Sequence, residues 1–383
     1  MMFDVVVVGA GVEGSATAYD LIRRNRRVLL LEQFPLPHNR GSSHGQTRVT
    51  RKAYPQPFYT EMMNFCTEQW TQLQEKAGDV LYRQIGYLAL GEKNGRFLQD
   101  NIFAMTQHGA PFAILSPGEL REKFAMLRYP ERIGGVLDRE GGILMSDKCL
   151  RALQRLFVEN GGVIRDGEQY QSLTPGEVIH VRTNRGEYQC RSIVFACGPW
   201  ANKVLSTVGL SLPLKPMRIT VCYWPELNPG SHSADKLPPF FEENCCDGHS
   251  IYGLPSEEYP GHVKLCLHHG PDIDPDKRDA CDYLWTVDLL KDYVSKHFPG
   301  LVPTPSVVES CIYTNTPDKN FIIDRHPKWK NIVFGAGFSG HGFKLAPAVG
   351  QVLADMALDE PVRYDTSHFR LSRFGTGVGQ AKL

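Results

Sequence analysis

Residues 3–32 read FDVVVVGAGVEGSATAYDLIRRNRRVLLLE, and the fold turns on how this run is divided. The first six residues are a continuous apolar run rich in β-branched valine, which suits a strand buried on both faces of a parallel sheet. The run ends in Gly9-Ala10-Gly11-Val12-Glu13-Gly14, a G-x-G-x-x-G pattern. Residues 15–25 have helical character, with Ala16, Leu21 and Ile22 on one side. Residues 27–31 (RVLLL) form a second strand that ends at Glu32, 18 residues beyond Gly14. Each part has a purpose. Gly9, Gly11 and Gly14 permit the tight turn and the approach of backbone to a pyrophosphate. The helix start offers free N–H groups and a partial positive charge to phosphates. Glu32 stands where an acid meets ribose hydroxyls, which favours FAD or NAD over NADP. The motif alone does not choose between FAD and NAD.

The bulk numbers narrow the class. At 383 residues the chain suits two or three domains, or one large split one. Lys+Arg and Asp+Glu both number 42, so nothing in the charge balance points to nucleic acid or an anionic membrane as the main partner. The ten cysteines include an adjacent pair, Cys245 and Cys246, but no C-x-x-C. They therefore read as reduced thiols of an intracellular protein rather than as a zinc site or a disulfide framework. No apolar run approaches the roughly 18 residues of a membrane span. Because the chain leads directly into a strand, no signal peptide is expected. The tripeptide Ala381-Lys382-Leu383 is close to the Ser-Lys-Leu peroxisomal address, with a small residue kept in the first place. The Gly-rich residues 374–380 would leave it free for an import receptor.

Later segments carry more chemistry. Residues 42–48 (SSHGQTR) follow a Pro/Gly-rich loop, and Arg51 falls three residues after Arg48, on the same side if the segment is helical. Residues 193–196 are an apolar strand running into Cys197-Gly198-Pro199-Trp200. Residues 331–334 are another, running into GAGFSGHGFK at 335–344 and a helix from about Ala346 to Leu358. Residues 262–268 (HVKLCLH) alternate as a strand does, with Val263, Leu265 and Leu267 on one face and Lys264, Cys266 and His268 on the other. A lysine on a core strand is costly without a partner or a task. Residues 222–247 contain Pro225, Pro229, Pro238 and Pro239 and read as loop, as do the polar residues 272–282. Either could line or gate a substrate entrance.

The runs SSHGQTR, ACGPWANK, KLCLHHG, CIYTNTPD and GFSGHGFK, in this order along nearly the whole chain, resemble the monomeric sarcosine oxidase family and its peroxisomal relatives. The resemblance implies FAD as the cofactor, joined by a thioether from Cys311 to the 8α carbon of its ring. It also implies an α/β fold. A Rossmann-like FAD-binding domain would be assembled from residues 1–85, 145–215 and 317–383. Residues 86–144 and 216–316 would form an α+β substrate domain whose antiparallel sheet roofs the flavin. Ser43, His44, Thr47, Arg48, Gly198, Trp200, Gly340, Gly342, Phe343 and Lys344 are thereby expected at the cofactor. The turn at 337–342, ahead of a helix, would direct backbone N–H groups at the flavin's pyrimidine edge.

The same resemblance implies the catalytic roles. Lys264 would stand beside the flavin ring and promote the reaction with oxygen, where a positive charge stabilises the negative charge that develops. His268, Tyr252 and Tyr313 would belong to the substrate pocket, whereas His269 points the other way. Lys344 and its helper Arg51 would bind the substrate carboxylate by charge-assisted hydrogen bonds. The expected reaction is oxidation of a secondary amino acid such as sarcosine or L-pipecolate, with hydrogen peroxide made from oxygen, in a monomeric peroxisomal enzyme that needs no metal. Three rivals make different predictions: an NAD-linked dehydrogenase, a flavin amine dehydrogenase with an acceptor other than oxygen, and a flavin-binding protein without catalysis.

Overall fold

The computed structural model describes residues 2–375. The tail reading at residues 381–383 lies outside the described residues. Met2–Val8 forms the central strand of an eight-stranded sheet, parallel to Val28–Leu31 on one side and to Glu187–Phe195 on the other. Ile332–Ala336, from the far end of the chain, extends the parallel set beyond Glu187–Phe195. The valine run splits between two cores as strand alternation requires. Val5 and Val7 pack under the helices Val12–Arg23, Ser146–Glu159 and Ala346–Leu358. Val6 and Val8 pack against the antiparallel hairpin Tyr170–Thr174 and Ile179–Thr183. Two helices meet at very close range: a Cβ built on Gly350 would come within 2.8 Å of the Ala16 backbone carbonyl.

A second eight-stranded sheet faces the first across a cavity. Its order is Val307–Asn315, Lys215–Pro225, His262–Leu267, His249–Leu254, Phe240–Cys246, Tyr87–Glu92, Ile133–Asp138 and Phe112–Leu115. All pairs are antiparallel except Phe240–Cys246 with Tyr87–Glu92. Helix Leu284–His297 covers the outer face through Val287, Leu290 and Val294. A three-stranded sheet of Thr47–Thr50, Gly142–Met145 and Tyr82–Gln84 bridges the two layers.

Two expectations are corrected. The helical condition under which Arg48 and Arg51 would share a side is not met: Arg48 lies on the strand Thr47–Thr50, where Val49 and Thr50 pair with Ile143 and Gly142, and Arg51 follows its end. Arg51 reaches the cavity because the chain leaves the sheet at that point. Residues 222–247 are not one loop: Cys222–Pro225 completes a long strand and Phe240–Cys246 is a strand in the same sheet. Pro225, Pro238 and Pro239 stand at the ends of these strands, where a missing N–H is tolerated, so they mark boundaries rather than absence of sheet, and Pro229 lies in the connection between the strands. Residues 272–282 are loop with one short turn, Pro275–Lys277. No described helix is long and apolar enough to cross a membrane.

Candidate active site

One cavity of about 1100 Å³ runs between the two sheets, at the upper end of the size of small-molecule sites (about 300–1,000 Å³). Gly9, Gly11, Glu32 and Trp200 line one end of it, and Arg51, His268, Tyr313 and Lys344 the other. Of the residues singled out from the sequence for the site, all line this cavity except Gly14. Gly14 has a packing task instead: a Cβ there would lie 1.9 Å from the Gly9 carbonyl oxygen. Gly9 itself has φ +102° and would place a Cβ 2.4 Å from the Ala196 carbonyl oxygen. The two glycines thus let strand, turn and helix close on one another.

At the nucleotide end, Glu32 is fixed by two backbone donors. Its Oε2 accepts from the Ala10 N–H at 2.9 Å and its Oε1 from the Phe34 N–H at 3.0 Å. A carboxylate has about four acceptor positions, so capacity is left for ribose hydroxyls. Ser43 Oγ accepts from the Val12 N–H at 3.0 Å, which ties the residue 42–48 segment to the helix start. Glu13, inside the glycine motif, is buried, and desolvation holds its carboxyl well above the usual range. A carboxyl displaced upward carries less negative charge against a phosphate. Trp200 Nε1 donates to Asp276 at 2.6 Å, and Arg278 donates to the Asn39 carbonyl at 2.6 Å. The 272–282 loop therefore straps the two layers together at this end.

Along the middle of the cavity, His44 contacts the Ser310 carbonyl at 2.9 Å, which seats the 42–48 segment against the strand Val307–Asn315. Arg48 donates to the carbonyls of Thr47 at 2.7 Å and Ser42 at 3.0 Å and lies over the Phe343 ring. Cys311 is buried, lines the cavity and has Sγ 3.8 Å from the Ser42 carbonyl. Gly198, Gly340 and Gly342 complete the wall as turn residues. The hydroxyl of Thr47 donates to Glu258 rather than into the cavity.

The far end is cationic and aromatic. Arg51 donates to Tyr87 Oη at 2.8 Å and lies over the rings of Tyr54, at 4.4 Å, and Phe241. Lys344 Nζ lies 5.9 Å from the centroid of the same Tyr54 ring, and among the described residues its one acceptor is the His341 carbonyl at 3.3 Å. Neither cation makes an ion pair among the described residues. Burial, then Arg51 and Arg48, push Lys344 well below the ordinary lysine range. His268 sits among the rings of Tyr313, Phe241 and Tyr252, with centroids at 5.1, 5.5 and 6.1 Å. Burial, aided by Arg51, Lys319 and Lys344, pushes it down to about 3, so it is neutral at physiological pH. His269 faces away and stacks on His249 at 4.1 Å.

The sheet register explains the grouping, since residues opposite one another in a ladder share a face. Phe241 stands opposite Tyr252, and Tyr252 opposite Cys266. Lys264 stands opposite Tyr223. Sequence reasoning missed Phe241, Tyr54, Tyr87 and Glu258. The pair Glu257-Glu258, six residues ahead of a lysine on a buried strand, was the available signal for the last.

A nucleotide turn with a fixed acid, an elongated cavity and a cationic far end fit a flavin dinucleotide. In agreement, residues 4–356 match the family of FAD dependent oxidoreductases. The chain is 46% identical over 385 residues to the peroxisomal sarcosine oxidase of Homo sapiens, covering all of this chain and 98% of that protein. It is 31% identical to the monomeric sarcosine oxidase of Bacillus sp. (strain NS-129), with 97% of each covered. Among solved structures, L-proline dehydrogenase from P. horikoshii superposes with a TM-score of 0.84 at 22% identity, covering 98% of both chains, which speaks to the fold alone. The chain belongs to the sarcosine oxidase family within the FAD dependent oxidoreductases. It is an FAD-dependent amine oxidase.

Proposed function

We propose that the protein oxidises a secondary amino acid, N-methyl or cyclic, such as sarcosine or L-pipecolate, and reduces oxygen to hydrogen peroxide. The observation that carries this reading is the pairing of half-buried Arg51 with buried Lys344 beside the aromatic cage of His268. Two cationic side chains without an ion-pair partner among the described residues suit a carboxylate, held by charge-assisted hydrogen bonds. Tyr252, Phe241 and Tyr313 supply apolar walls for an N-methyl group or a saturated ring. His268, neutral and inside this cage, sits where the amine end of the substrate is oriented. FAD held in this cavity would supply the two-electron chemistry, as acceptor for the C–H bond next to nitrogen and as donor to oxygen. The imine so formed hydrolyses, to formaldehyde and glycine in the case of sarcosine. Lys264, on the cavity wall, stabilises the charge that develops on oxygen. Cys311 holds the cofactor by a thioether. Residues 1–85, 145–215 and 317–383 serve the cofactor, and 86–144 with 216–316 serve the substrate.

The test is anaerobic mixing of the purified yellow protein with sarcosine, L-pipecolate and L-proline. Bleaching by one of them, with recovery and peroxide on adding air, is the expected result. Bleaching without peroxide in air, and with turnover only on an artificial acceptor, would replace the oxidase by a dehydrogenase.

The carboxylate site has its own signature. A bound carboxylate opposes the downward displacement of Lys344, so ligand binding draws the lysine toward its protonated form. Affinity for a simple carboxylate inhibitor such as propionate is therefore expected to fall as pH rises through the range in which the lowered Lys344 loses its proton, below where an ordinary lysine does, and the site to take up protons on binding there. Lys344→Met should weaken binding and flatten the profile. A wild-type Kd independent of pH, with no proton uptake in calorimetry, rules this account out.

We further propose a peroxisomal location through recognition of Ala381-Lys382-Leu383 by an import receptor. The human and mouse relatives, both 46% identical, bear the name peroxisomal. A reporter fused to the last dozen residues is expected in peroxisomes, and a uniformly cytosolic signal refutes the address.

A further inference from the structure

Lys264 is held from behind. Its Nζ donates to Glu258 Oε1 at 2.7 Å, with side-chain exposures of 7% for the lysine and 3% for the glutamate. Among the described residues Glu258 is its one ion-pair partner. Lys264 lines the cavity and Glu258 does not. The same Oε1 accepts from Thr47 Oγ1, and Oε2 accepts from Tyr223 Oη at 2.5 Å. Burial by itself would raise the Glu258 carboxyl, but Lys264 and these hydroxyl donors bring it below the ordinary range, so it is a carboxylate. Tyr223 is fixed in turn. Its hydroxyl lies 3.2 Å from Glu309 Oε2, and its ring meets that of Tyr259 at 4.6 Å. Tyr259 donates to Glu309 at 2.6 Å.

Glu258 thus gathers one donor from each of three strands, Thr47–Thr50, Lys215–Pro225 and His262–Leu267. It belongs to none of them, lying in the connection between His249–Leu254 and His262–Leu267. A surface carboxylate that merely pairs with a lysine gains little and is not caged in this way. A lysine stem is flexible, and an ammonium inside a protein is costly unless something holds it. Preorganised charge is effective in a reaction because it needs no rearrangement when the new charge appears.

We propose that Glu258 is the positioning residue of the oxygen reaction: it fixes the Lys264 ammonium at the cavity wall and leaves that group's two other N–H bonds for the oxygen being reduced. The inference rests on the oxygen role proposed for Lys264. Glu258 transfers no electron or proton itself. Its role is to hold one rotamer of Lys264 and to balance its charge.

The experiment compares wild type, Glu258→Gln, Lys264→Met and the double variant, each as holoenzyme. Two quantities are read: recovery of flavin absorbance when the substrate-reduced enzyme meets oxygen, and, in resting enzyme without substrate, the rate at which a small acylating reagent labels Lys264, followed by peptide mass spectrometry. Glu258→Gln is expected to slow recovery by about 10–10²-fold, with anaerobic bleaching nearly unchanged. Lys264 labelling should rise several-fold, and the double variant should be no slower than Lys264→Met, because the glutamate acts through the lysine. Unchanged labelling, or effects that multiply in the double variant, overturns the proposal. Fast recovery in Glu258→Gln with slow recovery in Lys264→Met removes Glu258 alone. Fast recovery in Lys264→Met removes the Lys264 reading and this inference with it. If Glu258→Gln does not accumulate, Tyr223→Phe removes one donor to the carboxylate while leaving the ion pair, and should move both quantities in the same direction by less. No movement in either counts against the proposal.

Discussion

Lys264→Met is expected to slow recovery of the flavin by oxygen by about 10²–10³-fold while changing anaerobic bleaching by less than about threefold. Methionine keeps the length of the side chain and removes the charge. The substrate end is spared because Arg51, Lys344 and His268 keep their own partners, none of which is Lys264. One side effect must be separated from the main one. The substitution strands Glu258, and leaving one member of a buried pair alone costs about 3–5 kcal/mol. Thr47 and Tyr223 still donate to that carboxylate and soften the loss. The double variant Lys264→Met/Glu258→Gln removes the stranded charge, so it should regain thermal stability without regaining oxygen reactivity. Rapid-mixing absorbance at several oxygen concentrations reads the effect. Equal slowing of bleaching and recovery would show that Lys264 serves substrate binding or cofactor seating instead of the oxygen step.

Cys311→Ser is expected to move the yellow colour completely from the acid-precipitated protein to the supernatant. In wild type the colour should stay with the pellet, because a thioether survives denaturation and a non-covalent site does not. The proposed link rests on the position of the thiol: it lies in the middle of the strand Val307–Asn315, opposite Ile219, and lines the cavity beside the 42–48 segment. Serine is close in size, so the sheet should be undisturbed and FAD should still bind reversibly through the glycine turn. Far-UV circular dichroism checks the fold of the variant. Colour in the wild-type supernatant would show that the cofactor is held by contacts alone.

Much of the fold was legible because it is written locally. The valine run, the glycine turn and Glu32 lie within thirty residues and each follows from a short-range rule. Helix Ala346–Leu358 and the apolar strands around Val194 and Val333 were legible for the same reason. The failures have a common cause. Arg48 and Arg51 were related by helical spacing, yet β-branched Val49 and Thr50 found partners in Gly142–Met145, almost a hundred residues away in sequence. Proline content hid the strand Phe240–Cys246, and with it Phe241, because proline at a strand boundary looks the same as proline in a loop. Glu258 left only the faint trace of an acidic pair ahead of Lys264, for a further reason. Its importance comes from three donors on three separate strands, and no periodicity within its own loop encodes that meeting.

The close seating of helix Ala346–Leu358 on helix Val12–Arg23, where Gly350 leaves no room for a side chain against Ala16, also has a bearing on biosynthesis. The nucleotide turn emerges from the ribosome some three hundred residues ahead of the strand Ile332–Ala336 that widens its sheet and the helix Ala346–Leu358 that backs it. Pairings so distant along the chain are slow to form. A nascent chain therefore carries an unfinished cofactor site for most of its synthesis. Stable retention of FAD then becomes a mark that translation has passed helix Ala346–Leu358, and a chain cut short before residue 346 should leave the ribosome colourless and open to proteolysis.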